Sequence, residues 1–294
     1  MVDRKIALTT GFLYFACLGA GLLGLGLNSV RSDVSHESTR FHFTPNGNLG
    51  PDGTYLPAKA GFNLADVSGR GELDLLPNGV KGLVWIGTCD GATAYFKQAV
   101  LRVISDPKLF GFYLMDDPDP RWWIWRNRCP AANLKAEADW IHAQRSDVVT
   151  FVSLMNLGES ESPSFGKSYT PETTHADFFA VAPYPCRTEW KTCHFDMIER
   201  FVHTAVDSGI PISKLVPIYQ AFGRGKWHTD TGGAYRMPNS DELQEIIRRW
   251  SQLLPSPPFD FAYSWGSQRE DVSLGSSPES QGIFLKHNTN RQDQ

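Results

Sequence analysis

From about residue 61 onward, short apolar runs alternate with longer stretches of helical spacing. Seven runs read as strands: Gly61–Val67, Val80–Gly87, Leu109–Asp116, Val148–Asn156, Asp177–Pro183, Leu215–Phe222 and Phe259–Trp265. Each is seven to nine residues of mainly aliphatic or aromatic character and ends on polar or turn-forming residues, as strands buried on both faces do. Between them lie helical patterns. Tyr95, Phe96, Ala99, Val100 and Val103 recur at helical spacing within Ala92–Ile104. Leu134, Ala138 and Ile141 do so within Ala131–Gln144, and Ile198, Phe201, Val202 and Ala205 within Phe195–Asp207. Asn239–Leu254 reads as a further helix with Asn239 or Ser240 as its cap, and Pro278–Asn288 as a closing one.

Strand and helix alternating over about 230 residues predict an α/β domain with a parallel sheet, and the length suits a (β/α)8 barrel of about 250 residues. An eighth strand is expected either in Phe41–Leu56 or between the first two strands, or else is degenerate or missing. No glycine-rich phosphate loop is present, which argues against a nucleotide or dinucleotide fold. The expected organisation is a hydrophobic leader over 1–31, a polar, irregular linker over 32–60 and the barrel over 61–294. Arg4 and Lys5 precede the apolar run Ile6–Leu27, long enough to cross a bilayer and basic on its amino side. A cleaved signal peptide and a retained anchor are equally compatible with it, so the barrel is expected outside the cytoplasm: secreted, periplasmic or membrane-anchored. Any membrane association is expected through this segment alone.

The chain has 294 residues, 41% hydrophobic and 20% charged, with a formal net charge of -4. No basic run stands out, so nucleic acid is not an expected partner. Cys17 lies inside the apolar leader. The other four cysteines, Cys89, Cys129, Cys186 and Cys193, suggest disulfides in an exported chain, with Cys186–Cys193 the preferred pair and Cys89–Cys129 the remainder. Zinc spacing is absent, and neither metal nor cofactor is expected.

The stretch LFGFYLMDDPDP, Leu109–Pro120, concentrates the chemistry. Its apolar run stops on Asp116 and Asp117, just past the carboxyl end of a strand, where α/β folds place their sites. Adjacent carboxylates raise each other's pKa, so one can keep its proton near neutrality and donate it. Asp116, Asp117 and Asp119 lack the alternate spacing of a calcium loop. The other strand ends bring polar and aromatic groups to the same mouth: Asn63 and Asp66, Trp85, Asn156, Tyr184, Gln220, and Trp265 with Gln268. Amides and carboxylates suit sugar hydroxyls, and indole rings suit the flat face of a pyranose. Trp122, Trp123 and Trp125 follow the acids as a platform or a lid.

The run F-G-F-Y-L-M-D-D-P-D resembles a strand end of (β/α)8 glycoside hydrolases and related barrel proteins, where the pattern is Tyr-Leu-x-Asp-Glu-Pro. F-F-A-V-A-P-Y-P and F-A-Y-S-W-G-S are similar to later strands of the same group, and the likeness spans about Gly61–Asn288. The resemblance implies a monomeric glycosidase that cleaves an oligo- or polysaccharide, with the acid/base at Asp117, where the group has Glu. Strand seven carries Tyr263-Ser264-Trp265 where a retaining hydrolase has a nucleophilic Glu. The second carboxylate therefore stays open among Asp66, Asp116, Glu270 and Asp271, and a barrel that binds glycans or a cell-envelope partner without cleaving stands as the alternative.

Overall fold

The computed structural model describes residues 41–121 and 128–289. The leader Ile6–Leu27 and the tryptophans Trp122, Trp123 and Trp125 lie outside the described residues. Among the described residues, no helix is long and apolar enough to cross a membrane.

In chain order the elements are β1 (His42–Thr44), β2 (Leu64–Val67), α1 (Arg70–Leu75), β3 (Lys81–Trp85), α2 (Ala94–Leu101), β4 (Leu109–Asp116) and α3 (Ala131–Gln144). They continue as β5 (Val149–Leu154), α4 (Pro171–Thr174), β6 (Phe178–Val181), α5 (Asp196–Asp207), β7 (Leu215–Val216), β8 (Ile218–Gln220) and β9 (Phe222–Gly223). Last come α6 (Ser240–Leu253), β10 (Asp260–Tyr263), β11 (Val272–Ser273) and α7 (Pro278–Thr289). The main sheet is parallel throughout, in the order β7-β6-β5-β4-β3-β2-β1-β10-β8.

The two ends of that order are one stretch of chain. Pro217 has no N–H to give to a ladder, and there the strand leaves β6 for β10: Val216 pairs with Ala180, Ile218 with Phe261, and the Pro217 carbonyl accepts from Phe261 N–H at 3.1 Å. Counted as one broken strand, Leu215–Gln220 completes an eight-stranded (β/α)8 barrel. The remaining strand is β1, in one of the two places the sequence left open. It falls inside the stretch read as linker, so the barrel starts before Gly61. Three residues are too short for a periodicity signal.

Side-chain alternation explains why the strands read as continuous apolar runs. Leu64, Leu83, Tyr113, Phe151, Ala180 and Phe261 point into the barrel interior. Ala65, Val84, Phe112, Val152, Phe179 and Ala262 point outward to the helices. Rings fill the interior: Phe151 meets Phe259 at 5.1 Å and Tyr113 at 4.7 Å, and Phe43 meets Phe261 at 4.9 Å. Gly111 is needed where β4 crosses β5, because a Cβ there would lie 2.3 Å from the Val149 carbonyl oxygen.

The predicted stripe Ile198, Phe201, Val202 and Ala205 of α5 is buried together with Met197, and α6 buries Leu243, Ile246, Ile247 and Trp250. Asn239 is the cap of α6. Its Oδ1 accepts from Glu242 N–H at 3.0 Å and Glu242 accepts from Asn239 N–H at 3.0 Å, a reciprocal capping box. Disulfides join Cys89 to Cys129 and Cys186 to Cys193, the pairing the sequence favoured.

Candidate active site at the carboxyl ends of the strands

A parallel barrel brings every strand's carboxyl end to one mouth. There a cleft opens in two lobes. The larger has a volume of about 450 Å³, with Asp66, Glu72 and Trp85 in its wall. The smaller has about 240 Å³, with Asp117, Tyr184, Trp227 and Tyr235 around it. Asp116, Phe261 and Tyr263 border both.

Asp116 closes β4, and the Tyr113 hydroxyl, one inward step earlier on the strand, donates to its Oδ1 at 2.8 Å. Asp117 follows in the left-handed region, at φ +47°, with its N–H on the Ser153 carbonyl at 3.0 Å. Asp tolerates that conformation better than most residues, and the turn places both carboxyls at the cleft floor. Each meets water on the cleft side and protein on the others, so desolvation is partial. Burial pushes Asp116 upward, opposed by the hydrogen bonds of Tyr113 and Ser153. Burial first, then the like charge of Asp116, push Asp117 up to about 7. Asp119 belongs to the scaffold. Its buried carboxylate is gripped by Arg121, with Nε to Oδ1 at 2.8 Å, and that bond holds its pKa down.

Asp66, near the end of β2, also faces the larger lobe. Its Oδ2 accepts from Asn46 N–H at 2.9 Å and its own N–H donates to Asn48 Oδ1 at 2.8 Å. Burial raises its pKa, the Asn46 N–H lowers it and Glu72 raises it further, for a net upward shift. A polar string runs along the rim: the Tyr263 hydroxyl donates to Gln268 Oε1 at 2.5 Å, and Gln268 Nε2 donates to Asn46 Oδ1 at 2.8 Å.

Trp85 and Tyr184 are in the cleft as expected from their positions. The Trp85 ring is 38% exposed and stands edge-on to Tyr113 at 4.8 Å. Tyr184 packs on Phe222 at 4.9 Å and Tyr235 at 5.6 Å. Four other expected residues are placed elsewhere. Asn63 precedes β2, at the opposite end of the barrel, where its Oδ1 accepts from His42 N–H at 2.8 Å. Asn156 braces the following loop, accepting from Gly158 N–H at 3.0 Å and Ser164 N–H at 2.8 Å. Gln220 is fully buried. Its Oε1 accepts from Cys186 N–H at 2.9 Å, and its Nε2 donates to the carbonyls of Cys186 and Arg236, both at 2.9 Å. It anchors the Cys186 loop and does not face the mouth. Trp265 is buried in the layer between barrel and helices, under the Lys59 ammonium.

Of the open candidates for a second carboxylate, Glu270 pairs with Lys226 on the surface. Asp271 Oδ1 accepts from Gln268 and Arg269 N–H at 2.9 Å as a turn bracket. Neither is among the residues around the two lobes, which leaves Asp116 and Asp66, with Glu72 as an acid the sequence reading passed over. Asn46, Asn48 and Tyr263 were also passed over. The parity of β10 could have flagged Tyr263, inward like Phe261, but the asparagines sit in an irregular loop without periodicity.

Among the described residues, His42, Asp260 and His287 bring three metal-capable atoms within 4.8 Å of one another. They lie at the foot of the barrel and already bond to each other: His42 Nδ1 to Asp260 at 2.9 and 3.0 Å, and His287 Nε2 to Asp260 Oδ2 at 2.9 Å. A second trio, Cys186, Cys193 and Glu242, has both thiols consumed in a disulfide.

No family model matches the chain, and neither does any curated protein. Solved structures do. A fungal endo-β-N-acetylglucosaminidase of glycosyl hydrolase family 18 aligns over 84% of this chain and 97% of its own, at 12% identity and a TM-score of 0.50. The family 18 chitinase ChiB of Flavobacterium johnsoniae aligns over 79% and 88%, at 10% identity and a TM-score of 0.50. A chitinase of Chromobacterium violaceum aligns over 83% and 98%, at 12% identity and a TM-score of 0.50. At such identities the likeness is one of fold: the chain shares the (β/α)8 barrel of these structures.

Proposed function

We propose that this protein is a glycosidase that cleaves an oligo- or polysaccharide, with Asp117 as the acid. One observation carries the reading: a carboxyl with its pKa near 7 sits beside a second carboxyl on the floor of an open, aromatic-walled cleft. Asp117 gives its proton to the glycosidic oxygen as the bond to the anomeric carbon breaks. Asp116, bordering both lobes and held by Tyr113, is the second carboxylate. It either takes a proton from the attacking water or attacks the anomeric carbon itself, and the two routes differ in product configuration. Trp85 and Tyr184 hold the sugar, with Asp66 bonding its hydroxyls. The barrel acts as a monomer outside the cytoplasm, a placement supported by its two disulfides and the basic-then-apolar leader.

A second reading, a glycan-binding barrel without turnover, rests on the end of β10, where Tyr263, Ser264 and Trp265 offer no carboxylate. A panel of oligosaccharides incubated with the full chain separates the two. Release of new reducing ends that disappears in Asp117→Asn supports the glycosidase. Saturable binding without product, equal in wild type and variant, supports the binder.

A further inference from the structure

Resting on the glycosidase reading, we propose that the larger lobe selects sugars bearing a free amine, so that the substrate is a cationic glycan built from non-acetylated hexosamine. Asp66, Glu72 and Asp116 border this lobe, and no lysine or arginine does so among its described residues. A uronate or sialyl carboxylate would meet three carboxylates with no compensating cation. An ammonium would find several acceptors. Asp66 and Glu72 repel each other when both are charged, which contributes to the upward shift at Asp66. A bound cation between them relieves that repulsion.

Behind the wall of the lobe lie two amide nitrogens with nothing to donate to. Asn48 is 3% exposed and its Oδ1 is committed to Asp66 N–H, yet its Nδ2 has no partner. Asn46 repeats the pattern: its Oδ1 accepts from Gln268 and its Nδ2 has no partner. Buried amide donors are seldom left unsatisfied, and both asparagines border the same lobe. Both nitrogens are closed to solvent, so a sugar in the lobe would meet its carboxylates and not these amides. The Trp85 ring, partly exposed on the same wall, gives the sugar and its positive charge an aromatic neighbour.

The test is calorimetric titration of the full chain, at pH 6 and low salt, with four tetrasaccharide probes: β-1,4-glucosamine, its fully N-acetylated form, cellotetraose and tetragalacturonate. The amine form is expected to bind on the order of tenfold more tightly than the acetylated and neutral ones, the scale of one partly screened ion pair. The margin should shrink at 0.5 M salt and in Glu72→Gln and Asp66→Asn, both isosteric and able to keep the hydrogen bonds from Ser68 and Asn46. Equal or tighter binding of the acetylated, neutral or acidic probe overturns the amine selectivity and leaves the glycosidase reading standing. Failure of all four probes, together with a panel showing neither binding nor cleavage, overturns both.

Discussion

Replacing Asp260 with Asn should destabilise the barrel in a pH-dependent way. Asp260 opens β10 at the foot, buried to 1% exposure, and bridges His42, which opens β1, to His287 on α7. The Tyr219 hydroxyl lies 3.4 Å from its Oδ2. His42 is itself 5% exposed, and although burial opposes its charge, the Asp260 carboxylate raises its pKa above the ordinary 6.5. The two histidines in turn hold Asp260 well below the usual carboxylate range, against the opposing effect of burial. A depressed acid contributes stability that is present above about pH 4 and lost as pH falls through its folded value. A raised histidine contributes stability that is present below about pH 6.5 and lost as pH rises through its folded value. The clamp is therefore strongest between about pH 4 and 6.5. Asn keeps one acceptor but loses the charge. With hydrogen bonds to charged groups contributing about 1.5–3 kcal/mol each, and a broken buried pair costing about 3–5 kcal/mol, the expected loss is about 3 kcal/mol at pH 5.5. At roughly 2–4 °C per kcal/mol, the melting temperature should fall by about 6–12 °C. Urea denaturation followed by tryptophan fluorescence at pH 5.5 and pH 9 measures both arms. A loss below about 1 kcal/mol at pH 5.5, or one no smaller at pH 9, would refute the clamp.

Asp117→Asn should lower glycan cleavage by about 10²–10⁴-fold with the melting curve unchanged, checked by product release and circular dichroism. An acid must carry its proton, so wild-type activity should fall as pH rises through about 7 in the pH–rate profile; in Asp116→Asn, which removes the like charge, the Asp117 carboxyl should titrate at lower pH when followed by carbon NMR. Trp85→Ala should weaken glycan binding about tenfold by titration while leaving stability within about 0.5 kcal/mol, because the ring is partly exposed. Gln220→Leu should cost about 2–4 kcal/mol in denaturant, since it strands the Cys186 N–H and two buried carbonyls. Reduction of both disulfides should destabilise the chain: loop closure gives about 4 kcal/mol for Cys89–Cys129 and about 2.5 kcal/mol for Cys186–Cys193, and an unchanged melting temperature in reductant would contradict this.

The order of strands and helices, the parallel sheet, the acids at the end of β4 and the disulfide pairing were legible in the chain itself. Apart from the Cys89–Cys129 bridge, which followed by elimination, those features are local: a strand buried on both faces must be apolar along its length, and a helix against a sheet must repeat its apolar residues every three or four positions. What the tertiary structure alone decided is non-local. Asn63 precedes one short strand and Asp66 lies near its end, yet only the direction of that strand in the barrel sends Asp66 to the mouth and Asn63 to the foot. Gln220 ends an apolar run as a binding residue would, but its partners are the backbone of Cys186 and Arg236, 34 and 16 residues away. The first strand is three residues long and takes its identity from pairing with β2 and β10. Periodicity records how a residue faces its own neighbours in the chain. Which distant groups satisfy a buried polar atom, and which end of a strand meets solvent, are settled only when the barrel closes.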